Sequence, residues 1–320
     1  MNIINQIPKI IIISTCLLVS VEVFAQKQNV YFLKNDGKQV STKDSADYIR
    51  IVSEPDSGTK WYNVKEYYNN GKPKLVGKTS TTNGSVLQGQ CTTFFPTGKR
   101  HQVANYANGW LNGDVYSYYP NGQLYAIRNY SDNEILAVVA CNDSTGKVLL
   151  AEKNGYFTDY DQDFKQIKDE GNILNGLKNG KWVGFIILDS NKVTYTETYD
   201  KGILVSGHSV ENGRHYEYTQ RETEPEFKGG ADKLGPFLTN HIRYPDYAKV
   251  NKIQGKVFLR VMIEGDGSVT DVKALRSPNI DLENEAIRVI QLSKWIPGRQ
   301  YGVPARIKFT LPIDFSLSTR

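Results

Sequence analysis

The chain has 320 residues, 39% of them hydrophobic and 23% charged, with a net charge of +5 and an unusual load of 20 tyrosines and 27 glycines. That length admits two domains, and so much Tyr and Gly suits strands and tight turns better than helices. The positive surplus lies wholly between Pro225 and Arg320, scattered rather than gathered into a stripe, which argues against a nucleic-acid surface.

At the N-terminus, Lys9 precedes an apolar run from Ile10 to Val21, and Val23-Phe24-Ala25 offers small residues at the −3 and −1 positions before Gln26. This pattern predicts a signal peptide over residues 1–25, cleaved after Ala25. The run is shorter than the roughly 20 residues that span a bilayer, and Glu22 interrupts its end. The alternative is an uncleaved inner-membrane anchor over residues 7–25. Cys16 lacks the preceding Gly or Ala of a lipid-attachment site. Residues 26–60 are expected to hold a first strand at Val30-Tyr31-Phe32-Leu33 and a turn at Asn35-Asp36-Gly37.

Over residues 61–213 the chain repeats itself. Tyr67-Tyr68-Asn69-Asn70-Gly71-Lys72 returns as Phe94-Phe95-Pro96-Thr97-Gly98-Lys99 and Tyr118-Tyr119-Pro120-Asn121-Gly122-Gln123, and fades at Ser144-Thr145-Gly146-Lys147. A period of this size predicts a stack of like units, each a strand, a tight turn and a return strand. Gly109-Trp110-Leu111-Asn112-Gly113 recurs as Gly176-Leu177-Lys178-Asn179-Gly180. These features resemble the MORN-repeat variant, a meander of hairpins. Cys91 and Cys141 lie two repeats apart, roughly 19 Å if each repeat adds two strands. A disulfide needs Cα atoms under about 7 Å apart, so two unpaired thiols are expected.

Residues 214–228, with Arg221-Glu222-Thr223-Glu224-Pro225-Glu226, have the charged, apolar-poor composition of an exposed linker. A domain over 229–320 follows. It is expected to open with a helix around Lys233 to Ile242 that buries Leu234, Phe237, Leu238 and Ile242, with Pro236 in its first turn. Lys256 to Ile263 alternates as a strand, Glu264-Gly265-Asp266-Gly267 reverses it, and Ser268 to Arg276 returns with a bulge near Thr270 or Asp271. Asp281 is expected to cap a helix whose Leu282, Ala286, Val289 and Ile290 share a face, and Pro297-Gly298 stops it. From Ala305 to Phe315 every odd residue is apolar and nearly every even one polar. Pro312 in that strand argues for a sheet edge, and an edge has spare backbone donors and acceptors.

Tyr244-Pro245, Ile253-Gln254-Gly255-Lys256-Val257, Asp266-Gly267-Ser268-Val269, Glu285-Ala286, Trp295-Ile296-Pro297-Gly298 and Phe309-Thr310-Leu311-Pro312-Ile313 resemble the C-terminal domain of TonB energy transducers. The fold class implied is α+β, an all-β meander of hairpin repeats followed by a small antiparallel sheet with two helices. The resemblance implies a protein of the periplasm or cell envelope that grips a TonB-box-like peptide of a TonB-dependent outer-membrane transporter by strand addition, in energy-coupled transmembrane transport. The docking residues would be Arg306, Ile307, Lys308, Phe309, Thr310 and Leu311, with Pro312 ending the pairing. Arg299, Gln300 and Tyr301 are expected to be exposed, with Arg299 and Tyr301 touching the partner. An uncleaved N-terminus would add inner-membrane motor proteins as partners, and the edge strand could also pair two copies of the chain. Three features depart from a transducer: a leader that looks cleavable, no His within residues 7–25, and a repeat array in place of a Pro- and Lys-rich spacer.

No nucleophile, base and oxyanion-hole set emerges, so the chain is read as non-enzymatic, and no cofactor is expected. Asp159, Asp161, Asp163 and Glu170 fall at calcium-loop positions, but Phe164 stands where the sharp turn needs Gly, which favours an acidic hairpin tip. His208 and His215 near Glu211 read as polar strand and loop positions rather than a metal site. Trp295 is expected in the core. A second reading makes the chain a cell-envelope scaffold whose repeats bind a protein, glycan or lipid surface through a ladder of Tyr116, Tyr118, Tyr125 and Tyr130.

Overall fold

The computed structural model describes residues 27–317; the expected leader over 1–25 and its alternative as an anchor lie outside the described residues. From Gln28 to Tyr218 the chain forms one antiparallel sheet. The sheet begins earlier than the repeats suggest, because Gln28–Leu33 pairs along its whole length with Tyr48–Ser53. From Tyr48–Ser53 onward it is a meander, and its last strand is Arg214–Tyr218.

Two kinds of turn alternate along the meander. At one end the Tyr68 N–H donates to Lys72 O and Gly71 N–H to Tyr68 O, and the same pair of bonds recurs at Phe95/Lys99, Tyr119/Gln123 and Asp143/Lys147. Each turn needs a left-handed residue, supplied by Gly71, Gly98, Gly122 and Gly146 at φ 81°, 90°, 95° and 93°. At the other end Asn108-Gly109, Asp132-Asn133, Glu152-Lys153, Asn175-Gly176 and Lys201-Gly202 are two-residue turns with both residues left-handed, the form whose twist matches the strands. Successive first-end turns are tied by side chains: Asn70 Nδ2 donates to Pro96 O at 3.0 Å, Lys99 Nζ to Asn121 O at 2.7 Å and Asn121 Nδ2 to Ser144 O at 2.7 Å. The repeated Asn, Lys and Gly therefore have one structural task.

The array curls until one face closes on itself. The Tyr125 hydroxyl donates to Thr158 O at 2.7 Å, three strands away, and Val138 N–H reaches Gly176 O at 2.9 Å. Tyr119, Tyr125, Phe157, Trp182 and Tyr199 fill the concave side. Tyr125 is thus core, which corrects its expected place in a surface ladder; Tyr116 is exposed, and Tyr118 and Tyr130 are half-buried. Among the described residues Cys91 and Cys141 are buried and form no disulfide with one another, as the spacing predicts. Phe164 takes the left-handed turn position at φ 58° and packs 4.9 Å from Tyr119, while Asp161 accepts Lys165 N–H at 2.7 Å. The acidic tip serves the aromatic core.

The C-terminal domain has three helices among the described residues: α1 (Ala231–His241), α2 (Asp246–Val250) and α3 (Ile280–Gln291). The expected pair is joined by the short α2, which Pro245 precedes as N-cap. The first helix starts two residues early, so Pro236 sits inside it rather than in its first turn. Asn279, not Asp281, caps α3, its side chain accepting Asp281 N–H at 2.6 Å. Against α3 lies a three-stranded sheet in which Gly255–Ile263 is central, between Val269–Arg276 and Ile307–Phe315. The bulge falls at Asp271, which adopts φ 44°. Val257, Leu259, Val261 and Ile263 meet Leu282, Ala286 and Ile290 in a fully buried core. Trp295 joins it, 5.1 Å from the Phe309 ring. Gly267 brings the hairpin tip against the Trp295 carbonyl, where a Cβ would collide.

Residues 214–228 are not an exposed linker. Glu222–Thr223 pairs with Arg299–Gln300, Glu226–Phe227 pairs with Trp295–Ile296, and Phe227 enters the C-terminal core. Arg221 reaches back into the repeat sheet and binds Glu197 through Nε at 2.8 Å and Nη2 at 2.5 Å. The two domains are fastened together at this seam.

Candidate partner-binding edge

Ile307–Phe315 pairs antiparallel with Gly255–Ile263 over nine positions, from Ile307 opposite Ile263 to Phe315 opposite Gly255. Among the described residues no strand pairs with its other margin. Ile307, Phe309 and Leu311 are half-buried on the helix side and Ile313 and Phe315 fully so, whereas Lys308, Thr310, Pro312 and Asp314 are exposed. The predicted two-faced strand is present.

Pro312 fixes the phase of the hydrogen bonds. Antiparallel partners alternate between pairs that exchange N–H and C=O and pairs whose polar groups point away from one another. Pro312 stands opposite Phe258 and has no N–H to donate, so that pair belongs to the second kind. Lys308, Thr310 and Asp314 share its phase and turn their N–H and C=O groups to the open margin. Ile307, Phe309 and Leu311 spend theirs on the central strand. Along the margin the donors at Lys308 and Thr310 are thus followed by a missing one at Pro312.

The start of the margin is a polar cleft of about 330 Å³ between Arg306, Ile307 and Lys308 on one side and Glu222, Thr223 and Glu224 on the other. Arg306 is half-exposed and its Nε lies 3.1 Å from Glu264 Oε1. Arg299 is exposed but committed: its N–H donates to Thr223 Oγ1 at 3.1 Å and its Nη1 to Gly302 O at 2.7 Å. Tyr301 departs from expectation. It is half-buried between the domains, its ring 4.8 Å from that of Tyr195, its N–H on Arg221 O at 2.6 Å and its carbonyl accepting from Ser209 Oγ at 2.6 Å. Its left-handed turn (φ 51°) projects it into the repeat sheet, away from the margin.

Behind that contact lies a carboxylate that periodicity alone could have flagged. Val193, Tyr195, Glu197 and Tyr199 alternate on one inward face, so Glu197 had to find partners. Besides Arg221 it accepts the hydroxyls of Tyr199 at 2.9 Å and Tyr218 at 3.0 Å. Burial pushes its carboxyl upward, but the Arg221 bonds and charge, with both phenols, overcome this and hold it below the ordinary value. His208 and His215 lie within hydrogen-bonding distance of one another, and His208 meets Glu217 rather than Glu211. Among the described residues no group of three or more His, Cys, Asp or Glu has a metal-holding arrangement.

Residues 240–317 match the family described as the Gram-negative bacterial TonB protein C-terminal. The C-terminal domain is TonB-like. Residues 111–132 of the sheet match the MORN repeat variant. Two curated relatives named Protein TonB, from two strains of Helicobacter pylori, are 37% identical over 54 residues, or 17% of this chain and 19% of theirs. The chain thus spans about a fifth of the length of the curated relatives it matches. Two solution structures of the H. pylori TonB-CTD align at 24% and 26% identity, covering 28% of this chain and 95% and 81% of theirs, with TM-scores of 0.22 and 0.23. No helix among the described residues is long and apolar enough to cross a membrane.

Proposed function

We propose that the TonB-like domain binds an extended segment of a partner protein by adding it as a fourth strand beside Ile307–Phe315, and that the partner is a TonB-dependent outer-membrane transporter. The observation that carries this is the open margin with its outward groups at Lys308 and Thr310. Backbone pairing would supply affinity, and side chains beside the ladder specificity. Arg306, Lys308 and the facing Glu222 and Glu224 would read charge at one end of the guest; Pro312 would end the ladder at the other. Ile307, Phe309 and Leu311 hold the strand in place from the core side. Residence in the periplasm or cell envelope and a contribution to energy-coupled transport follow from the same reading.

Peptides from transporter N-termini titrated into the full chain test it. Saturable binding that fails when the peptide backbone is N-methylated at alternate positions supports strand addition. Binding indifferent to N-methylation, or none to any peptide, counts against it. If the chain instead self-associates and peptide does not dissociate the dimer, the margin pairs two copies.

A further inference from the structure

The curled repeat sheet carries an open-mouthed cavity of about 440 Å³, within the size range of small-molecule sites. Its floor is ionic. Asp159 and Asp169 stand directly opposite one another on adjacent strands, a like-charge pairing that disfavours the sheet unless it is compensated. Each carboxylate has one cation: Arg128 Nη2 lies 2.5 Å from Asp159 Oδ1, and Lys178 Nζ contacts Asp169 Oδ2. Both cations also rest on aromatic faces, Arg128 4.9 Å over Phe157 and Lys178 3.9 Å over Trp182.

The compensation is incomplete. Asp169 Oδ1 is buried without a hydrogen-bond partner, and among the described residues Arg128 donates only through Nη2. The floor therefore keeps one unmet acceptor on Asp169 and unmet donors on Arg128, whose partner Asp159 faces Asp169 across the strands, in a site of no net charge. A simple cation would meet Arg128 and Lys178, and a simple anion the two aspartates. The rim is apolar: Ile135 and Leu136 are about half exposed, and Leu177 packs on Gly202 beside them.

We infer that this cavity binds a small zwitterion with an apolar tail, of the α-amino-acid class. On binding, the Asp169 carboxylate turns so that Oδ1, sealed from solvent in the free chain, accepts from the ammonium, Arg128 donates to the ligand carboxylate, and the aliphatic side chain lies on Ile135, Leu136 and Leu177. Burial raises the Asp169 carboxyl and lowers the Lys178 ammonium, and an added ammonium beside Asp169 offsets that desolvation.

L-leucine titrated into the full chain, with the four tryptophan indoles ¹⁵N-labelled, tests the site. The Trp182 signal, assigned with Trp182→Phe, shifts saturably and the other three stay. N-acetyl-L-leucine and L-leucinamide, each missing one charge, bind at least tenfold more weakly. Asp169→Asn weakens leucine at least tenfold; Leu136→Ser, at an exposed rim position that leaves the core intact, weakens it several-fold and carries the test if Asp169→Asn does not fold. No saturable Trp182 shift at millimolar leucine, equal binding of N-acetyl-L-leucinamide, or indifference to Leu136→Ser overturns the assignment.

Discussion

At the scale of single residues, the seam between the domains turns on Glu197. Its carboxyl is fully buried and its folded pKa lies below the ordinary value of 4.5. Such a group stabilises the fold fully above the unfolded pKa, and that contribution fades as pH falls through the lower folded value. Arg221→Met strands the carboxylate in the interior, and losing one partner of a buried pair costs about 3 kcal/mol or more. Chemical denaturation at pH 7 should therefore show a large loss for Arg221→Met. Glu197→Gln should flatten the loss of stability on acidification below about pH 4.5 that the unaltered chain shows. The thiols make a second test at this scale. Burial raises both, Cys141 to about 11, and only the thiolate reacts. Iodoacetamide at pH 8 should leave Cys91 and Cys141 intact in the native chain and modify both once denaturant unfolds the sheet, as read by mass spectrometry.

At the scale of elements, the last strand makes a prediction that no bulk property of the domain would. Thr310 is assigned an outward N–H and Leu311 an inward one, so proline at the two positions should act differently. Thr310→Pro removes a donor from the open margin, as Pro312 already does, and should abolish peptide binding while the melting temperature stays close to that of the parent. Leu311→Pro removes a bond to the central strand and should unfold the domain. Much of this strand was legible in advance, because alternation between Ala305 and Phe315 reports which face is covered. The hairpin at Gly267 and the bulge at Asp271 were legible for the same local reason: turn residues and a slip in parity are written in consecutive positions. The cap of α3 is ambiguous by two residues in the sequence because Asn279 and Asp281 are both competent caps, and only the backbone geometry distinguishes them.

At the scale of the molecule, the repeat sheet and the TonB-like domain share a seam that sequence patterns did not show. Arg221-Glu222-Thr223-Glu224 has the composition of a solvated linker, and its pairing with Arg299–Gln300 depends on residues some 76 positions away. The burial of Tyr301 is hidden for the same reason: periodicity says which side of a strand is covered, and says nothing about a loop that another domain covers. The seam has a mechanical consequence for the proposed role. Glu222–Glu224 forms one wall of the cleft at the start of the open margin, so a guest strand at Lys308 and Thr310 would lie beside the segment that ties the domain to the repeats.

Residue-resolved amide hydrogen exchange on the full chain, with and without a transporter N-terminal peptide, tests strand addition most directly. In the free chain the Lys308 and Thr310 amides should exchange fast while those of Phe309 and Leu311 are protected, and the peptide should slow the first pair selectively. Equal protection of all four in the free chain, or bound peptide that leaves Lys308 and Thr310 exchanging freely, would contradict it.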